Sequence, residues 1–442
     1  MAPFVHTYCS PQGARRLCCA SRESAEGDVM KQYIDAPGKY KGTFDPTTLK
    51  QHWNSRHMKS VRRRMLAGEE LPECEVCNDN ILNLHTYRRY FNETLFPHLI
   101  QEAIENTAPS GYTRMEPISF DYRLTNLCNF KCRMCGPPLS SSWEAEKRQH
   151  NDWDEKEDPW MIPKIRNTIQ TFQTDVLEKE LEDVIDRKVI REVYWVGGEP
   201  LMWEAHWRLM DKMIQNGMAK DVIIRYNTNL SRINWKGKNL YRDYLKHFKR
   251  VNICASLDAT GKIGEFIRTG LNWEKWKANW EEGHVWALLF PCWANIPPDF
   301  LVLDLTITLP GLFDLVNLVK FANYYNSKIY TKIVFAFDPS IVLSPFALPR
   351  NILDPFLNDL IQEIEPISNK RNDSVVQTLK DMLNRPVFAE QWPDTYEEGL
   401  RSGKEVQKRL ADRRGDGEKD KLTIEEIYSL RTDVLEWWND IV

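Results

Sequence analysis

From Pro117 onward the chain alternates between two hydrophobic rhythms. The runs ISFDYRL, REVYWVGG, VIIRYNTNL, VNICASLD, LVLDLTIT and KIYTKIVFAF are rich in β-branched and aromatic residues and are bounded by turn formers, which predicts strands. Between them, WEAHWRLMDKMIQ, YRDYLKHFK, NWEKWKANWEE and LFDLVNLVKFANYY repeat apolar residues every three or four positions, the period of a helix with one buried face. Strand–helix repetition predicts a parallel sheet with helices outside it. The block from Pro117 to about Ser340 approaches the roughly 250 residues of an eight-stranded barrel, yet it offers only about six units. The expected fold is therefore α/β, a partial, open (β/α)6 barrel.

The flanks follow a different pattern. Before the barrel, FDPTTLKQHWNSRHMKSVRRRMLAGEE reads as one helix, with Asp45 or Thr47 as its cap and Gly68 at its left-handed end. Its basic run Arg62–Arg64 reads as a solvated face. After Leu348, the runs NILDPFLNDLIQEIE, DSVVQTLKDMLNR, TYEEGLRSGKEVQKRLADRR and TIEEIYSLRTDVLEWWNDI read as helices, and RRGDGEKDK as a charged linker between the last two. Three regions are expected: a Cys-rich unit over 1–110, the barrel over 111–345 and a helical C-terminal extension over 346–442.

Composition narrows the class. A chain of 442 residues, 42% hydrophobic and 28% charged, buries a large core without disulfide staples. Its net charge of −4 gives no overall nucleic-acid signature. The opening MAPFVHTYCSPQ has neither the basic nor the apolar region of a signal peptide, and no apolar run is long enough for a membrane span. Ten cysteines in such a chain point to metal or redox ligation in a reducing cytoplasm rather than to disulfides.

The cysteines carry the clearest chemistry. Cys128, Cys132 and Cys135 follow the first barrel strand with C-x3-C-x2-C spacing. Three thiolates on one short loop can each hold a different iron of a cubic cluster and leave the fourth iron open to a ligand. The alternative is a zinc knuckle or three structural thiols, although zinc sites usually close with two pairs of ligands. The second signal is Gly197-Gly198-Glu199-Pro200 at the end of the next strand. There, two glycines allow close approach to the backbone, and a carboxylate can accept from an ammonium group.

These residues resemble the radical S-adenosylmethionine (SAM) superfamily. The resemblance implies a [4Fe-4S] cluster on Cys128, Cys132 and Cys135 whose open iron binds SAM. It also implies a GGE turn, here Gly197, Gly198 and Glu199, that holds the SAM amino group. Further matches fall at successive strand ends: Asn227, Thr228 and Asn229 in the TN-type turn, Ser256 and Asp258 in the SxD strand end, and Arg268 in EFIRTGLNWEKW. Met134 stands where the superfamily commonly has an aromatic residue against adenine, and its flexible apolar side chain suits the same packing. Reductive cleavage of SAM to a 5′-deoxyadenosyl radical is the implied reaction, with an external reductant such as flavodoxin or ferredoxin.

The N-terminal unit resembles the twitch domain, a short relative of the SPASM domain that carries an auxiliary iron–sulfur cluster. The matching residues are Pro11, Gly13, Cys18-Cys19, Trp53-Asn54, Cys74 and Cys77. The resemblance implies Cys18, Cys74 and Cys77 as ligands and takes Cys9 as the fourth. The family's usual first cysteine has no room ahead of Pro3, so a three-ligand cluster and a start farther upstream stay open. A zinc site on Cys9, Cys18, Cys74 and Cys77 also remains a competitor. Cys254 and the aromatic segment Trp273–Trp293 read as core. The resemblance points to a peptide or protein substrate, with a sugar, nucleotide or RNA as the runner-up. A non-catalytic iron–sulfur module is the reading from another class. The acidic balance disfavours a long nucleic acid as partner and leaves a peptide, protein or small molecule.

Overall fold

The computed structural model describes residues 1–21, 44–78, 86–289, 299–333 and 341–442. Cys292, Trp293 and the end of the KIYTKIVFAF run lie outside them. The strands are β1 (His6–Cys9), β2 (Arg15–Arg16), β3 (Ser119–Tyr122), β4 (Glu192–Trp195), β5 (Ile223–Thr228), β6 (Asn234–Trp235), β7 (Lys238–Asn239), β8 (Arg250–Ser256), β9 (Leu301–Ile307) and β10 (Ile329–Ile333). β6 and β7 pair by themselves, and the others form one eight-stranded sheet in the order β10-β9-β8-β5-β4-β3-β1-β2. The six strands marked by the apolar pattern are β3, β4, β5, β8, β9 and β10, and they lie side by side in chain order. β3–β4, β4–β5, β8–β9 and β9–β10 pair in parallel. The fold is thus α/β with a mostly parallel sheet, consistent with a partial barrel. β4 is buried at every position, as a strand covered on both faces must be.

The helices Glu204–Gln215, Trp273–Leu289 and Leu315–Tyr324 stand where the three- and four-residue spacing predicts them. YRDYLKHFK does not form a helix. It folds as a wide turn over Leu240–Tyr244 and a single 3-10 turn over Leu245–His247. Leu240, Tyr241, Tyr244 and Leu245 are all buried.

The chain divides into two compact units. The first comprises Met1–Cys128, Pro137–Tyr226 and Tyr244–Val251, and the second Asn129–Gly136, Asn227–Asp243 and Asn252–Val442. In the first, β1 pairs in parallel with β3, His6 opposite Ser119 and Cys9 opposite Tyr122, and β2 pairs antiparallel with β1. Every residue of β1 is buried, so its sequence shows no alternation to mark it as a strand.

The long N-terminal helix of the sequence reading is two helices, Leu49–Trp53 and Arg56–Leu66, broken at Asn54-Ser55. Thr48, rather than Asp45 or Thr47, caps the first in a reciprocal box with Gln51, and Ser55 caps the second through Met58 N. Gly68, φ +77°, takes the left-handed position just past the end. Arg62 is not on a solvated face. It is fully buried, donating from Nε to Pro3 O at 2.7 Å, from Nη1 to Asn54 Oδ1 at 2.9 Å and from Nη2 to Trp53 O at 2.7 Å, with its guanidinium over the Trp53 ring. The break at Asn54-Ser55 frees the Trp53 carbonyl for this bond, so the basic run loses its first residue to the core.

In the second unit the extension is helical throughout its longer elements: Arg350–Ile364, Asp373–Leu383, Tyr396–Arg414 and, after the short helix Ile424–Tyr428, Thr432–Asp440. The charged stretch after Arg414 is not a loose linker. Gly415, φ +65°, ends the helix, and the residues on either side of it are bonded to the cysteine loop. Among the described residues no helix is long and apolar enough to cross a membrane.

Candidate functional site

Within the first unit, β3 leads into an irregular segment that ends at Cys128. Its backbone is held by the start of the helix Ser141–Gln149: Cys128 N donates to Ser141 Oγ at 3.1 Å, and Ser142 Oγ donates to Cys128 O at 2.7 Å. From the other side comes the turn after β4. Glu199 N donates to Leu127 O at 2.7 Å, and Trp203 Nε1 reaches the same carbonyl at 3.4 Å. This approach explains the glycine pair. Gly198 has φ +51°, and a Cβ on it would lie 2.6 Å from Leu127 O, while Gly197 has φ +90° against the Arg123 side chain. Glu199 is fully buried and accepts from Leu201 N at 3.1 Å through Oε1. The GGE turn and the strand that delivers Cys128 are therefore packed backbone to backbone.

Within the second unit, Cys132 and Cys135 sit beside the SxD strand end. Arg268 Nη1 lies 3.9 Å from Cys132 Sγ, and its Nη2 donates to Asp258 Oδ1 at 2.9 Å, with Nε 2.7 Å from Oδ2. Asp258, itself fully buried, also accepts from Thr306 N at 2.9 Å. Burial raises the Asp258 carboxyl above its ordinary range, and the Arg268 guanidinium works against that rise. Burial likewise pushes the Cys132 thiol up to about 12, with Arg268 again opposing. Removal from water raises Cys135 in the same direction. Three residues that spacing alone placed far apart, Cys132, Asp258 and Arg268, thus form one connected group.

The remaining candidates hold the surroundings. Asn229 Nδ2 donates to Asn129 Oδ1 at 3.0 Å, tying the β5 turn to the cysteine loop. Thr228 Oγ1 accepts from Leu230 N at 3.0 Å, a turn-building bond beside the left-handed Leu230. Asn227 Nδ2 donates to Asp304 Oδ2 at 2.8 Å, and Lys332 Nζ lies 2.7 Å from the same oxygen. Ser256 is half-buried and in register with Asp304, and Met134 is half-buried on the loop. Asp304 and Lys332 did not enter the sequence reading. Their signal was a lone carboxylate in the apolar run LVLDLTIT and a lone ammonium in the next strand. Ser141 and Ser142 were missed for lack of any spacing signal.

The donor set fits an iron–sulfur cluster. Cys128, Cys132 and Cys135 form no disulfide, and the Arg268 guanidinium beside Cys132 favours its thiolate, the form that ligates metal. Among the described residues no group of three or more His, Cys, Asp or Glu side chains converges on a single-ion position.

In the first unit Cys18 lies within electrostatic reach of Cys74 and Cys77. Cys9 lies elsewhere, fully buried in β1 with Arg15, Glu180 and Asp121 as its charged neighbours. Cys19 has Asp121 and Tyr87 beside it.

One substitution tests the GGE turn. Glu199→Ala is expected to weaken SAM binding by about ten- to a hundred-fold, the worth of a charge-assisted hydrogen bond of roughly 1.5–3 kcal/mol. Equal affinity in wild type and variant, measured by equilibrium binding, would remove Glu199 from the ammonium site.

The radical SAM superfamily profile matches residues 122–282, a span that contains all three loop cysteines, Gly197–Glu199, the β5 and β8 ends and Arg268. No curated protein matches the chain. A solved structure described as native anSMEcpe with bound AdoMet is similar at 15% identity and a TM-score of 0.32, covering 54% of this chain and 60% of that one. The chain thus spans less than two thirds of that protein's length.

Proposed function

We propose that this chain is a radical SAM enzyme in which Cys128, Cys132 and Cys135 hold a [4Fe-4S] cluster, with Glu199 as a SAM-binding residue of the first unit and Asn227, Ser256, Asp258 and Arg268 as SAM-binding residues of the second. The observation that carries this reading is the Cys132–Arg268–Asp258 connection, which puts a ligating thiol and the SxD strand end in one hydrogen-bonded group. A [4Fe-4S] cluster held by Cys128, Cys132 and Cys135 would supply the one-electron reduction that cleaves SAM and so make hydrogen-atom abstraction from a substrate available.

The protein's part is to bind, orient and exclude. Gly197 and Gly198 leave room for backbone approach, and Glu199 offers a buried carboxylate to an ammonium. Arg268 aims Asp258 through its guanidinium and opposes the rise that burial imposes on that carboxyl, while it keeps a cation at Cys132. Burial of all these groups keeps water and stray donors from a radical. Substrate-free turnover tests the reading: reduced, anaerobic protein should release 5′-deoxyadenosine from SAM, and its failure to do so with iron in place would overturn it.

A peptide, protein or small molecule is the substrate class we favour. The basic run that an RNA would need is shortened by the burial of Arg62, and the net charge of −4 provides no compensating field. Cys18, Cys74 and Cys77 are proposed to carry an auxiliary cluster. Replacing Cys74 and Cys77 with Ala should remove about four irons per chain and leave substrate-free SAM cleavage intact, because the loop cluster has its own ligands. Loss of zinc at constant iron, read by elemental analysis, would establish the zinc alternative instead.

A further inference from the structure

We infer that the C-terminal extension is the clamp of the cysteine loop, with Arg133 as the positioning residue that joins the two. This rests on the proposed role of that loop as a cluster site. Arg133 stands between Cys132 and Cys135 in sequence, and only 1% of its side chain is exposed. Its Nε donates to Phe266 O at 3.1 Å, its Nη1 to Gln407 Oε1 at 3.0 Å, and its Nη2 to the Asp416 carboxylate, while the guanidinium lies 4.0 Å from the centre of the Phe266 ring. Gln407 belongs to the helix Tyr396–Arg414, and Asp416 follows the glycine that ends it. The same helix end returns a second cation: Arg414 Nη1 donates to Lys131 O at 2.9 Å and to Thr269 Oγ1 at 3.2 Å.

The loop itself forms no helix or strand, so its order must be supplied from outside. Fixing a residue costs about 1–2 kcal/mol of backbone entropy, and a loop that presents several thiols at set separations must meet that cost along its length. Two backbone bonds from the loop go to the segment around Arg268: Lys131 N to Thr269 O at 2.7 Å and Arg133 N to Ile267 O at 2.8 Å. Gly270, φ +111°, lets that segment come close, for a Cβ there would lie 2.8 Å from Asn129 O. Asn129 is tied to Asn229 and Ser231, and the bonds through Arg133 Nη1, Arg133 Nη2 and Arg414 Nη1 go to the extension. A planar guanidinium suits this task because its fork meets an amide, a carboxylate and a carbonyl at once, with a ring on its face. Burying such a cation is costly unless hydrogen bonds and a counter-charge compensate it, and here the partners lie 133, 274 and 283 residues away in sequence. Here it fixes the segment that carries Cys132 and Cys135.

The test compares anaerobically isolated wild type with Arg133→Ala, Arg133→Lys and Asp416→Asn. Amide hydrogen exchange across 129–135 should quicken by about ten-fold in Arg133→Ala and Asp416→Asn, with β3 and the helix Arg350–Ile364 unchanged. Iron release to a chelator should quicken in step, and the EPR spectrum of the reduced cluster should broaden or shift in Arg133→Ala at equal starting iron. Arg133→Lys, which keeps the charge without the fork, should restore part of the protection. Wild-type exchange over 129–135 in both Arg133→Ala and Asp416→Asn would overturn the inference. So would a loss of protection spread evenly over the whole extension, since the contact would then serve only to hold the helices. A wild type that binds no iron would sink the cluster reading by itself, and exchange at 129–135 would still decide the clamp.

Discussion

Alanine at Cys128, Cys132 and Cys135 together is expected to abolish 5′-deoxyadenosine formation and remove the loop's iron, while the protein stays folded. Apart from the weak Sγ contacts of Cys132 with Arg268 and of Cys135 with Gly136 O, the hydrogen bonds that hold the loop run through backbone atoms and through Asn129 and Arg133, which the substitution does not touch. Removal of three sulfurs therefore takes away ligands without taking away the anchors. Any metal in the Cys18, Cys74 and Cys77 group is expected to remain. The check is paired: iron per chain by elemental analysis and deoxyadenosine by chromatography after anaerobic reduction. SAM cleavage by the triple variant at the wild-type rate would refute the assignment of the loop.

Arg268→Ala should be the most damaging single substitution at the site. It leaves the Asp258 carboxylate fully buried without its cation and strips the N–H donor from Cys132. Breaking a buried pair by removing one partner costs about 3–5 kcal/mol, more than the hydrogen bond lost in Glu199→Ala. We expect a lower melting temperature, SAM turnover reduced by at least about a hundred-fold, and faster iron loss. The double variant Arg268→Ala with Asp258→Ala should recover much of the stability and none of the turnover, because it removes the stranded charge without rebuilding the pocket. Stability comes from thermal unfolding and turnover from the deoxyadenosine assay. An Arg268→Ala protein that melts and turns over like wild type would show that the pair is ornamental. Sequence spacing ranks Arg268 below Glu199, since its motif is looser. The buried ion pair with Asp258 leads us to expect the opposite order.

The sequence alone determined the order of elements in the barrel and the chemistry at its strand ends. Six β-rich runs alternating with helical periods become β3, β4, β5, β8, β9 and β10, side by side in chain order, because each strand buries its faces locally and the right-handed crossover leaves little freedom in how successive strands meet. The C-x3-C-x2-C spacing, the glycine pair before Glu199 and the SxD strand end were legible for a similar reason. Their chemistry depends on residue type at short range, and backbone demands such as φ +90° at Gly197 mark the chain directly.

Tertiary structure decided what depends on partners far away in sequence. β1 pairs with β3 across more than a hundred residues, and its uniform burial erases the alternation that would have announced it. Arg62 reads as a surface cation until the break at Asn54-Ser55 turns the Trp53 carbonyl toward it. The stretch around Gly415 reads as a charged linker until Arg133 meets Asp416 and Arg414 meets Lys131. The connection of Cys132 to Asp258 through Arg268 belongs to the same class. In each case the side chain's charge is visible in the sequence, and whether water or a buried partner compensates it is settled only by packing.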